Sequence, residues 1–364
     1  HPEERMLTIL TLAFPFAASA AEVTSLPPQT RGDIAIDYGV TVIPDSLREG
    51  IETVGSRRSI EHLLRYRARF GLIDPIALEV ELPHNASSRI RFSDSHEMVY
   101  EPVQQTGTML DTPEIGDVDQ HGFGTGGTWV RLLGTPLSED IFSARGDQIT
   151  WLVGLGYQFK DQVSYWNRNE SGQRGGGPAS PALEVKSFWS TSNNMSDPYV
   201  GIVWTKRFAT QTNLRDTNGV VLEPNVDVQD PSSVDLKVGI EIDAWSNDAW
   251  ADGLGTELAF DLGGTFSYQT ASTAISGVQL PNVLSLSENT PVTRSEGSSL
   301  WANGGVRWRI IRYLDWRIHS ALGAPLGRRL ESPYDVATSA KGKVGWAVGT
   351  EMIFRMRDPI FDAN

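Results

Sequence analysis

Residues 60–82 read IEHLLRYRARFGLIDPIALEVEL, and their apolar positions recur every second residue. Leu64, Tyr66, Ala68, Phe70 and Leu72 share one face, followed by Ile76, Leu78, Val80 and Leu82. Arg65, Arg67 and Arg69, then Glu79 and Glu81, occupy the other face. A period of two is the signature of a strand with one apolar side. Asp74-Pro75 punctuates the stretch, which predicts a hairpin. Pairing Leu72 with Ile76 sets Arg69 opposite Glu79 and Arg67 opposite Glu81, so opposite charges meet on one face. A slip of one residue would separate them.

The same one-sided alternation recurs along the 364-residue chain. It predicts twelve strands, at 33–43, 59–73, 75–83, 127–134, 148–160, 181–189, 198–208, 233–246, 254–269, 298–311, 314–322 and 342–355. The connections alternate in length. Asp74-Pro75, 135–147, 190–197, 247–253 and 312–313 form the shorter set; 44–58, 84–126, 161–180, 209–232, 270–297 and 323–341 form the longer one. Short turns on one side, long loops on the other and an even strand number describe an up-and-down antiparallel transmembrane β-barrel, with periplasmic turns and extracellular loops. Aromatics agree: Trp151, Trp189, Trp308, Trp316 and Phe354 fall at periplasmic strand ends, and Phe159, Phe266 and Tyr268 at outer ends. Strict alternation puts Trp245 and Trp301 on the polar face. A soluble β-sandwich would alternate in the same way, but the polar long loops, the glycines within strands and the alternating connections favour closure.

Composition narrows the function. With no cysteine, disulfide-stapled domains and cysteine-ligated metal centres are excluded. A net charge of −14 argues against an electrostatic nucleic-acid binder. Met6–Ala17 is a short apolar run behind Arg5, with Ala18-Ser19-Ala20 as an A-x-A cleavage site. It reads as a secretory signal over 1–20, because a spanning helix needs about 20 apolar residues. The barrel is then expected over 21–364, with 356–364 a short periplasmic tail, outer-membrane lipid around it and a small solute as its guest.

FGLIDPIALEVELPH (Phe70 to His84) resembles the Y-G-L-T-D-x-L-x-L-x-V-x-L-P-Y hairpin of the Gram-negative outer-membrane channel-like proteins of the phenol-degradation meta-pathway family. Pro44 to Gly50 resembles that family's L-P-K-G segment, and GFGTGGTWVRLL (Gly122 to Leu133) resembles its G-x-G-D-x-x-L-x-x-K-Y-R-L strand, with Gly126-Gly127 where Gly-Asp is usual. The resemblance covers about the first third of the chain. It implies an outer-membrane barrel that moves hydrophobic or aromatic compounds.

Inside such a barrel, charges are tolerated only with water or partners. Arg65, Arg67 and Arg69 are answered by Glu79 and Glu81, and that ladder reads as self-neutralising. Arg307, Arg309 and Arg317 differ, because Arg307 and Arg317 become neighbours when Trp308 faces Trp316. They require Glu257, Asp261 or Glu351 from adjacent strands, or an anionic guest, which makes them the better lumen-lining candidates for contact with a solute. The sequence therefore reads as a passive channel, without a cofactor or a metal. The alternatives are a barrel enzyme acting on lipid, for which His62 is the candidate, and a non-conducting structural or adhesion barrel. His319 and Ser320 are adjacent and point to opposite faces, so they form no dyad. His96-Glu97, His121 and the acidic Glu114, Asp117 and Asp119 are expected in the long 84–126 loop, and Gly122 to Gly127 reads as a flexible approach to a strand.

Overall fold

A computed structural model describes residues 26–49, 52–94, 118–137, 149–160, 170, 180–191, 195–215, 219–246, 256–275, 291–294, 296–311, 313–326, 330–331 and 339–356. The signal segment, His96, Glu97, Glu114, Asp117 and the tail beyond Met356 lie outside these residues. Twelve antiparallel strands form the wall: β1 (Gly32–Glu49), β2 (Glu52–Ile73), β3 (Ile76–Asp94), β4 (Trp129–Leu137), β5 (Ile149–Gln158), β6 (Ala182–Thr191), β7 (Ser196–Arg207), β8 (Ser233–Ser246), β9 (Glu257–Gln269), β10 (Gly297–Ile311), β11 (Leu314–Pro325) and β12 (Gly345–Met356). Each pairs with its neighbours in sequence, and β1 pairs with both β2 and β12. The sheet is thus closed, with Gly32 facing Met356 at the seam. All twelve expected strands are present, including the one carrying Leu183, Val185 and Trp189.

The β2/β3 register is the one the charges demand: Arg69 faces Glu79 and Arg67 faces Glu81. At the turn the ladder shifts, so Ile73 rather than Leu72 faces Ile76 and Leu72 is the bulged residue.

Two expected loops are corrected. Residues 44–49 and 52–58 are strand: β1 and β2 stay paired out to Glu49 and Glu52, and Asp45–Arg48 also pair with Ser339–Gly342. Much of 84–126 is strand too, since β3 runs to Asp94 and its outer part pairs with Val118–Thr125, which includes His121 and Asp119. These extensions lack an apolar face because they stand beyond the lipid, with water on both sides. Alternation therefore cannot reveal them. The same end of the barrel carries a hairpin of Thr210–Arg215 with Val221–Val228. It also carries a small sheet of Ser272–Ile275, Pro291–Arg294 and Leu330–Glu331.

The barrel is apolar outside and polar inside. Leu155, Val238, Leu262, Leu300 and Leu322 are exposed on the outer wall, whereas Glu79, Arg131, Glu241, Arg307 and Glu351 are buried within. Only lipid makes such an exterior favourable, so the chain forms a membrane-spanning β-barrel. Aromatic pairs mark the end with the short turns. Trp151 stacks on Trp189 with centroids 4.8 Å apart, and Trp308 meets Trp316 at 6.2 Å. Their indole N–H groups are held on the wall, Trp151 Nε1 donating to Ser187 Oγ and Trp316 Nε1 to Thr350 Oγ1.

The two misfit tryptophans resolve differently. A bulge between Asp243 and Trp245 reverses the alternation and turns Trp245 outward, 53% exposed, into the same girdle. Trp301 does point inward, 1% exposed, and lies over Gly323 beside Ile43, Ala321 and Ala347. Glycine makes this possible, since a Cβ at position 323 would overlap the indole.

Candidate functional site

Arg65, Arg67 and Arg69 sit at alternate positions of β2, so all three enter the lumen. They do not form a private ladder with Glu79 and Glu81. Arg65 binds Asp37 on β1, and Arg69 binds Glu79 on β3. Arg67 reaches across β1 to Glu351 on β12 at 2.6 Å. Glu79, 1% exposed, also receives Arg131 at 3.0 Å and has Lys186 at 3.7 Å. Arg131 binds Glu81 at 2.7 Å and Glu184 at 2.8 Å as well, and its guanidinium lies 4.7 Å from the Trp129 ring.

The second set of arginines is equally occupied. Arg307 binds Glu241 and, at 2.6 Å, Glu257; Arg309 binds Glu257 at 2.7 Å and Asp315 at 3.0 Å. Arg317 binds Glu351 at 3.2 Å, and Arg355 binds Asp315 at 2.6 Å. Arg307 does face Arg317 in the β10/β11 ladder, as Trp308 faces Trp316. Carboxylates of the wall neutralise these arginines, so no anionic guest is required for charge balance, although the buried Arg307 Nη1 has no hydrogen-bond partner among the described residues. Asp261, the third expected partner, accepts from Tyr199 Oη at 3.4 Å.

The ion pairs occupy the periplasmic half of the lumen and draw on ten of the twelve strands. Unpaired, such charges would be costly in the membrane; paired, they hold the wall together from within. They also remain in reach of water. The side chains of Arg65, Arg309 and Glu257 keep 25%, 17% and 18% of their surface accessible, although all three point inside a closed wall. Fixed charges of both signs, where they line a water-filled passage, can orient and filter polar solutes.

Sequence reasoning missed Arg131, Glu184, Lys186, Asp37 and Asp315 as members of this site. Asp37 and Glu184 alternate with apolar neighbours and were findable. Arg131 was hidden because Trp129 and Leu133, its companions on the inward face, are as apolar as Val130 and Leu132 on the outer one.

β5 and β7, with Phe188 of β6, contribute an apolar patch. Leu152, Phe188, Tyr199 and Val203 cluster inside the lumen, with Phe188 lying over Gly201 and Tyr199 over Gly239. Leu26, ahead of β1, packs against this cluster. Its segment is fixed to the end of β2: Thr30 N donates to Gly71 O, Gly71 N donates to Arg31 O, and Pro27-Pro28 lie directly on Gly71. The chain ahead of β1 thus crosses the periplasmic end of the lumen.

His62 lies on the outer wall, with its Nδ1 2.7 Å from Tyr38 Oη. Its partner is a girdle phenol, which accounts for the residue as part of the lipid boundary.

No family model and no curated protein matches the chain. Solved structures do. An outer-membrane channel from Pseudomonas putida F1 aligns with TM-score 0.48 and 13% identity, over 92% of this chain and 98% of that one. The translocator domain of the autotransporter NalP from Neisseria meningitidis gives 0.39 and 7%, over 89% and 88%. A FadL homologue from Pseudomonas aeruginosa gives 0.37 and 9%, over 89% and 90%.

Proposed function

We propose that this barrel sits in the bacterial outer membrane and passes small solutes passively through its charge-lined lumen. The observation that supports this reading most directly is the accessible surface kept by Arg65, Arg309 and Glu257 inside a closed wall. A core packed solely for stability would have no use for wetted ion pairs, which well-packed apolar side chains replace at no loss. The patch of Leu152, Phe188, Tyr199 and Val203 lies beside the charges and would offer an apolar surface once Leu26 is withdrawn from it. It suits solutes that are partly hydrophobic or aromatic, the class implied by the resemblance of Phe70 to His84.

Solute flux into vesicles tests the proposal. Vesicles holding the refolded chain should admit small polar and small aromatic solutes faster than empty vesicles. Deletion of residues 26–31 should raise both rates, because Leu26 and Pro27-Pro28 stand in the passage. Flux indistinguishable from that of empty vesicles, for both chains, would contradict it.

A further inference from the structure

The carboxylates of the ion-pair groups each hold a cation, but Glu61 does not. It stands on the inward face of β2, four residues outward of Arg65, in the extracellular half of the lumen. It is half-buried and makes no hydrogen bond or ion pair among the described residues. Two more oxygens stand beside it without partners. Thr41 is its direct cross-strand neighbour on β1, and Asn85 faces Leu63 on β3, diagonal to Glu61. Direct neighbours have Cβ atoms about 4.5–5.5 Å apart and diagonal ones about 7–8 Å, within reach of a long side chain. Thr41 is 1% exposed and Asn85 3%, and neither Thr41 Oγ1 nor Asn85 Oδ1 has a hydrogen-bond partner. A bulge between the His62 and Leu63 pairs interrupts the ladder at this place. The adjoining wall is apolar: Ile43 stands two residues beyond Thr41 and packs with Trp301, Ala321 and Ala347.

Buried oxygens without donors cost free energy, and a carboxylate beside an apolar wall costs more. We propose that Glu61, Thr41 and Asn85 form a subsite for the primary ammonium group of a small organic cation. An ammonium offers three N–H donors and no acceptor, matching three acceptors contributed by three adjacent strands. Its charge neutralises Glu61. Bare inorganic cations lack those three directed donors. The lumen's role as a passage enters only as the solute's way in.

The test is an equilibrium measurement on the full chain folded in detergent micelles, so it does not depend on conduction. Ethylammonium chloride should raise the thermal midpoint saturably above the value in sodium chloride of equal concentration, because a ligand of the folded state stabilises it. Glu61→Gln should fold with a midpoint in sodium chloride no lower than that of the unsubstituted chain, because it loses no partner and sheds a buried charge, and should abolish the ethylammonium effect. Thr41→Val and Asn85→Leu should each weaken binding about tenfold, the loss expected for one hydrogen bond to a charged group. Saturation by sodium equal to that by ethylammonium, or an ethylammonium effect retained in Glu61→Gln, would overturn the assignment. A barrel that binds ethylammonium but passes no solute would uphold this subsite and remove the channel reading.

Discussion

Arg67 stands opposite Glu81 in the β2/β3 ladder, yet its guanidinium binds Glu351 at 2.6 Å, spanning β1 over the small side chain of Ala35. The first and last strands of the barrel are thereby joined from inside as well as by their backbone ladder. Glu351 also holds Arg317, so one carboxylate serves two arginines from strands on either side of the closure. Glu351→Gln should therefore destabilise the barrel by about 2–3 kcal/mol, somewhat less than a dry buried pair because water reaches Arg67. Urea unfolding in vesicles measures it, and an unchanged midpoint would show that the seam does not depend on this contact.

The exterior makes an opposite demand. Leu262 is 55% exposed near the middle of β9 and faces lipid. Leu262→Arg should cost about 2–4 kcal/mol of folding free energy in a bilayer. A cost near zero would mean that water, not lipid, bathes this wall.

Inside, space is set by glycines beneath large side chains. A methyl group at Gly201 would overlap the Phe188 ring. Gly201→Ala should destabilise by about 1–3 kcal/mol through overpacking. Phe188→Leu in the same chain should recover part of that loss, and absence of any recovery would place the strain elsewhere.

Leu26 fills part of the apolar patch on β5–β7. Leu26→Asp should weaken that seat and increase flux of small solutes while the barrel's melting stays near wild type. Equal flux with and without the substitution would show that the segment does not limit passage.

How far the sequence reveals this molecule depends on where lipid acts. Within the bilayer, each strand must show one apolar face, and all twelve strands and the Arg69 to Glu79 register were legible from that. Beyond the bilayer the constraint ends, so the extended β1/β2 hairpin and the outer half of β3 read as loops. The candidate site was half legible for a related reason. Alternation says which charges enter the lumen, but not which of them meet, because Arg67 crosses a whole strand to its partner and Arg131 gathers Glu79, Glu81 and Glu184 from two others. Pairing there follows the barrel's curvature and side-chain reach, neither of which a single strand's pattern encodes. Trp245 shows the same limit, since one bulge reversed its face.

The most direct measurement is single-channel conductance of the refolded chain in a planar bilayer, together with its reversal potential in a salt gradient. The expected result is a small steady conductance that rises on deletion of residues 26–31. Combined Arg307→Gln, Arg309→Gln and Arg317→Gln should move its selectivity toward cations, because Glu241, Glu257 and Asp315 would then be freed of these arginines. Protein shown to be inserted that conducts nothing even after the deletion would contradict an open, charge-lined passage.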